Sequence, residues 1–325
     1  GLGDVYKRQY LHSATMVKAG VFLVALLTPV LGGTTLWFGL LTAVGAITMV
    51  MGAFLAWRQT DLKSILAYTT VSALGMLTFL LGIGTPVAFK AAMTFLLAHA
   101  LYKGALFMVA GSVDHQTGTR DIQRLGGLGR VMPVTAVAAI LAGLSMSGLP
   151  PLIGFVSKEL FYEATLYASS LSAVLTGLAL LANVLTVVAA GLAVIRPFFG
   201  TRPEELAQTK EAGVRLLLGP TVLGAAGLLF GLTIGTIGTA LIGPAVSSVA
   251  GTPVAVKLSL WHGLNPMLAL SAATIGLAVL VWFSQRWLFA LTGPLDVGKR
   301  IGPERGYDAL LAGLPRFAVW QTRLI

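Results

Sequence analysis

Long apolar runs, interrupted at fairly regular intervals by short polar stretches, set the pattern of the chain. Nine can be read, at approximately Leu11–Val30, Leu36–Trp57, Lys63–Gly82, Val87–Gly111, Pro133–Ala168, Ser170–Ile195, Arg215–Ile242, Asn265–Phe289 and Tyr307–Ile325. An α-helix needs roughly 20 apolar residues to cross about 30 Å of hydrocarbon, and most of these runs reach that length. The last is shorter and more polar, which suits an interfacial or truncated helix. The Arg215–Val249 stretch is rich in Gly and Thr and fits either one tilted helix or a helix with an extended tail. The pattern predicts an all-α fold, a polytopic membrane helix bundle with about eight or nine transmembrane helices.

One run is unlike the others. From Val134 onward no charge occurs until Lys158, yet Gly148, Pro150 and Pro151 stand in the middle. A Pro-Pro pair removes two backbone donors and blocks continuous helix. Hydrocarbon tolerates such a break only where protein or water satisfies the freed carbonyls. A helix broken around Gly148–Gly154 and followed by Lys158 and Glu159 is the arrangement by which transporters hold an ion in mid-membrane. Residues 144–159 are therefore the first candidate for the functional centre, with Glu159 as the expected charge partner of Lys158.

Composition narrows the class. Of 325 residues, 56% are hydrophobic and only 10% charged, against roughly 25% charged in soluble proteins. The formal net charge of +10 is not gathered with aromatics on one polar face, so a nucleic-acid partner is not expected. The basic residues cluster instead in alternate loops. Those near residues 58–63, 112–132, 196–215 and 285–306 carry Arg58, Arg124, Arg202, Arg300 and their neighbours, whereas the loops around Gly32, Gly84, Ser169 and Gly251 carry only Lys257. The positive-inside rule makes the basic side cytoplasmic. With no cysteine, thiolate metal sites and disulfides are excluded. No phosphate loop, nucleophile triad or nucleotide fingerprint is present, so neither cofactor, metal nor catalytic residue is expected. Residues 1–9 (GLGDVYKRQ) are polar and read as a foreign or disordered leader to a chain that begins inside a longer protein.

Topology leaves several basic groups unexplained. A lysine at the bilayer centre costs about 2.5–3.5 kcal/mol on insertion scales and so faces water or a partner. Lys90 sits near a helix start and reads as snorkelling. Lys103 falls roughly 24 Å along its helix, with His99 one turn earlier on the same face. The pair reads either as a proton relay or as a packed histidine beside a snorkelling lysine. Lys18, after His12, is open to both readings. Lys63 opens a helix whose next turns carry Tyr68, Thr69, Thr70 and Ser72, hydroxyls fit for a hydrated path or for a polar helix start. Lys158 lies inside the membrane only if the Gly148–Gly154 segment runs partly in its plane. Asp114 to Asp121 (DHQTGTRD) reads as a hydrogen-bonded turn rather than a metal site.

His12 to Gly20 (HSATMVKAG), Asp61 to Ser72 (DLKSILAYTTVS), His99 to Lys103 (HALYK) and Gly154 to Glu159 (GFVSKE) stand in the order found in antiporter-like subunits. The chain thus resembles the family that includes the large membrane subunits of respiratory complex I, membrane-bound hydrogenases and Mrp-type cation/proton antiporters. Gly104 to Gly111 with the following loop, and Trp261-His262-Gly263, resemble the Mrp A protein more than the complex I chain. The resemblance implies two inverted five-helix repeats. Residues 10–30 would be the last helix of a truncated first repeat, 31–196 the second repeat, and 197–325 additional membrane helices. It further implies that Lys63, His99, Lys103 and Lys158 are proton-path residues and that His12 is a polar residue at the repeat junction. Phe95 stands where some relatives carry a second histidine. The expected partners are other membrane subunits of a hetero-oligomeric complex, the lipid bilayer, protons and a monovalent cation such as Na⁺. A redox-driven proton pump and a membrane scaffold are the alternatives.

Overall fold

A computed structural model describes residues 16–168, 171–292 and 313. His12, the leader, the Ser169 turn and, apart from residue 313, the Tyr307–Ile325 segment lie outside the described residues. Two units are distinguished, residues 1–278 and residues 279–325. Within the first, a 3₁₀ turn at Met16–Lys18 leads into α1 (Ala19–Leu31), followed by α2 (Thr35–Trp57), α3 (Leu62–Ile83) and α4 (Pro86–Thr117). Next come α5 (Pro133–Met146), α6 (Ile153–Leu166), α7 (Ser172–Phe198), α8 (Val214–Leu232) and the bent helix α9 (Ile234–Ala250). The last helix, α10 (Pro266–Thr292), runs beyond residue 278, and its continuation to Thr292 is the described helical part of the second unit. Six of these helices are long and apolar enough to cross a membrane, among the described residues. The fold is an all-α membrane helix bundle, as the apolar pattern predicts.

Local chemistry sets the helix ends. Thr34, Asp61 and Thr85 each accept a hydrogen bond from a backbone amide in the first turn of α2, α3 and α4, filling a group the helix cannot fill itself. The α5 start has no such neighbour. Glu211, far along the chain, serves it instead: one carboxylate oxygen accepts from the Val134 amide at 2.7 Å and the other from Thr135 Oγ1 at 2.6 Å. A carboxylate there also complements the positive end of the helix dipole.

The helix α2 packs along α3 more extensively than any other pair, and the seam is built from glycine. A Cβ on Gly75 would lie 2.4 Å from the Met49 amide nitrogen, and one on Gly45 would lie 2.5 Å from that of Phe79. Backbones that approach so closely are the usual basis of helix association where there is no water to expel. Ser72 Oγ also donates to Met49 O across the seam at 2.7 Å. The core continues through α4, which packs on α3, α5, α6 and α8.

Three sequence expectations need correction. The α4 helix continues through Asp114 and His115 to Thr117, so the expected turn from Asp114 and the loop from residue 112 both begin too early. At 32 residues it is about 48 Å long, and such a helix projects its polar end beyond the hydrocarbon instead of stopping at the boundary. The α10 helix runs to Thr292, past the expected end at Phe289 and into the loop expected over residues 285–306. The Gly/Thr-rich stretch is neither one tilted helix nor a helix with an extended tail. It turns at Thr233, and α9 widens to a π turn at Gly238–Ile242.

Candidate functional site

The site is built around the interruption between α5 and α6. The α5 helix ends at Met146, and six residues pass before α6 starts at Ile153, with a cis peptide between Pro150 and Pro151. Gly148 takes the left-handed conformation at φ +66°, and a Cβ there would lie 2.8 Å from Lys158 Cδ and Cε. A glycine is needed at this position twice over, for the backbone and for the lysine passing beside it. Lys158 therefore folds back toward the break, and its Nζ donates to the freed carbonyl of Ser147 at 3.2 Å. Only 7% of Lys158 is exposed.

Glu159 does not complete a direct ion pair with it. Successive residues on a helix point about 100° apart, and Glu159 instead accepts a hydrogen bond from Ser271 Oγ of α10. The two charges act on each other through space.

Lys103 and His99 lie on the buried face of α4, each with no exposed surface. Lys103 Nζ donates to Leu66 O at 3.0 Å and to Thr69 Oγ1, so the α3 hydroxyl row does supply a lysine partner. Thr70 and Ser72 bond to backbone carbonyls instead. His99 sits between rings, with Phe95 at 5.8 Å and Tyr102 edge-on at 5.4 Å. Neither of its ring nitrogens has a protein hydrogen-bond partner among the described residues. Buried imidazoles are bonded as a rule, so these nitrogens are open to water. Lys18, buried where α1 begins, is close enough for its charge to act on His99.

Beside Lys158 lies a cavity of about 20 Å³, bordered also by Ser145, Ser157, Asn183 and, from the His99 stretch of α4, Phe95 and Tyr102. Ser145 Oγ and Ser157 Oγ are buried there without partners among the described residues. A polar space of this size holds about one water. At the other end of the line Lys63 pairs with Asp114 at 2.7 Å, the two side chains being 19% and 33% exposed. The described groups are thus a partly exposed Lys63–Asp114 ion pair, Lys103 and His99 one turn apart on α4, and a water-sized gap beside Lys158.

The family follows. Residues 9–186 match the model of the NADH:quinone oxidoreductase/Mrp antiporter transmembrane family. The chain belongs to that family. It is 39% identical to the A-type subunit of the Na⁺/H⁺ antiporter from Alkalihalophilus pseudofirmus, a match covering 97% of this chain and 43% of the relative. The chain thus spans less than half the length of that relative. The antiporter-like architecture is shared with a chain of the Mrp complex from a Dietzia species, at TM-score 0.74 and 34% identity, covering 98% of this chain and 37% of that one. Respiratory complex I from Thermus thermophilus with bound NADH matches at TM-score 0.62 and 29% identity, over 73% of this chain and 50% of that one.

Several residues escape sequence reasoning. Asp114 is hidden by the turn-like composition around it. Thr69 is one hydroxyl among several, and only the α3–α4 packing selects it. Tyr102, Ser145, Ser157 and Asn183 border the cavity beside Lys158 and Ser271 bonds Glu159, each from a separate helix, and no local pattern marks them.

Proposed function

We propose that the chain is part of a proton-translocating subunit of a multisubunit Mrp-type cation/proton antiporter in a prokaryotic cell membrane. Protons moving along the buried Lys/His line drive export of a monovalent cation such as Na⁺. The observation that carries this reading is Lys103, fully buried yet held by a carbonyl and a hydroxyl, in line with His99 and the broken helix. Each fixed charge in hydrocarbon is costly, so a lysine kept there without a carboxylate at hydrogen-bond distance is best explained by a group that changes charge.

Each residue has a role in this reading. Lys63 and Asp114 admit protons from the basic side, which is cytoplasmic. Lys103 and His99 carry them laterally with Lys18 and His12 at the repeat junction, and Lys158 passes them outward. Residues 10–30 would close a first repeat, 31–196 would form the second, and the remaining helices would be additional. The partners are other membrane subunits of the complex. The relatives that carry the name of a Na⁺/H⁺ antiporter support this reading.

Cation-dependent proton flux in everted vesicles carrying the full complex tests it. Lys158→Ala is expected to abolish flux while the complex assembles. Wild-type flux in that variant removes Lys158 from the mechanism. The likeness to complex I supports a second reading, a redox-driven pump using the same lysines. Flux driven by an imposed Na⁺ gradient, without quinone reduction, separates the two. In a pure scaffold, Lys103→Met and Lys158→Met would leave flux intact and alter assembly alone.

A further inference from the structure

At the end of the bundle opposite the basic loops, α4, α6 and the segment entering α10 enclose a second cavity of about 310 Å³. Its charged and titratable borders are Lys90 from α4, Glu159 and Glu163 from α6, and Lys257 and His262 from the segment before α10. Lys158 adjoins it through the helix, its own ammonium turned away toward Ser147. Glu159 is half-buried and reaches this space, and His262 is exposed and acts on its charge.

The helix α10 engages α6 by a matched pair of bonds. Ser271 Oγ bonds the carboxylate, and three residues on, Thr274 Oγ1 meets Tyr162 OH at 2.5 Å. Glu159 and Tyr162 have the same spacing on α6, so one face of α10 engages one face of α6. Ser271 and Thr274 are 4% and 0% exposed. A hydroxyl both donates and accepts, so Ser271 can hold the Glu159 side chain as carboxylate and as carboxylic acid.

We propose that this vestibule is where the path exchanges protons with bulk water, through Glu159, with Ser271 and Thr274 as positioning residues and His262 of Trp261-His262-Gly263 as the receiving group. The Lys158 ammonium gives its proton to the Glu159 carboxylate through water, leaving a neutral amine and a carboxylic acid. The acid then passes the proton to the His262 imidazole or to water, which restores the carboxylate. The proposal rests on the proton path described above and extends it to a helix beyond the five-helix segment.

The test is proton flux through the full complex in right-side-out vesicles, with pH varied on the vestibule side. Ser271→Ala is expected to move the midpoint of the flux–pH curve by about half a pH unit or more, and Ser271→Thr to restore it. His262→Gln, which removes the receiving imidazole from the cavity border, is expected to flatten the curve. His262 is exposed, so its variant reports on the vestibule even where Ser271→Ala prevents assembly. Wild-type curves for both variants, with Lys158→Ala inactive, overturn this inference and leave the path standing. Wild-type flux in Lys158→Ala overturns the path itself.

Discussion

Gly148→Ala offers the sharpest perturbation of the break, because it adds one methyl group where both backbone and lysine have no room. At φ +66° the left-handed backbone costs an alanine roughly 1–2 kcal/mol. The new Cβ would stand 2.8 Å from two methylene carbons of Lys158, whereas carbons at rest are about 3.5–4.0 Å apart. The lysine must therefore retreat by about 1 Å. Its 3.2 Å bond to Ser147 O is already at the long end of hydrogen-bond range, so the retreat breaks it. Losing a charged hydrogen bond is worth about 1.5–3 kcal/mol, which at 1.36 kcal/mol per decade gives a flux about ten- to a hundredfold lower. The assay is cation-dependent acidification of everted vesicles, with assembly of the complex checked by co-purification. Gly177→Ala is the control, since a Cβ there meets nothing within 4 Å and the change suits a helix. Gly148→Ala complexes that assemble fully and carry flux within about twofold of wild type would refute the claim that this glycine positions Lys158.

Other perturbations separate structural from functional roles. Thr69→Val keeps the shape but removes a Lys103 partner, and is expected to cost about 1–3 kcal/mol and to depress flux, read by thermal melting of the purified complex and by vesicle acidification. Gly75→Val would force apart backbones that now touch, costing about 1–3 kcal/mol or more and lowering yield in a co-purification assay. Glu211→Ala leaves the first amides of α5 without a partner and should lower the melting temperature by the equivalent of about 0.5–2 kcal/mol, whereas Glu211→Gln should recover part of it. Asp114→Asn breaks a partly exposed ion pair worth about 0.2–1 kcal/mol, so melting should hardly change while flux at the basic side falls.

Hydropathy made the membrane bundle legible, because a span needs a long apolar run and little else. The interruption at Gly148–Pro151 was equally plain, since no continuous helix accommodates two adjacent prolines there. His99 and Lys103 stood out because basic groups are rare in such runs. What stayed hidden depends on contacts between distant segments. Glu211 caps a helix 77 residues away, and Ser271 reaches a carboxylate 112 residues away. For Lys158 and Glu159, adjacency in sequence marks two charges beside the break, while helix geometry turns neighbours in different directions and only the contact with α10 shows that Glu159 bonds Ser271. Asp114 was lost to the assumption that a helix ends where its polarity begins.

The glycine seam between α2 and α3 bears on how such a machine could move. Two rods whose main chains touch cannot slide or rotate against each other without first separating, so they travel as a single stiff plate. Rearrangement during turnover must then fall on the other side of Lys103, where bulky side chains and a water-sized gap leave slack around α4 and the start of α6. Cross-linking α2 to α3 should accordingly leave turnover untouched, whereas tethering α4 to α6 should arrest it.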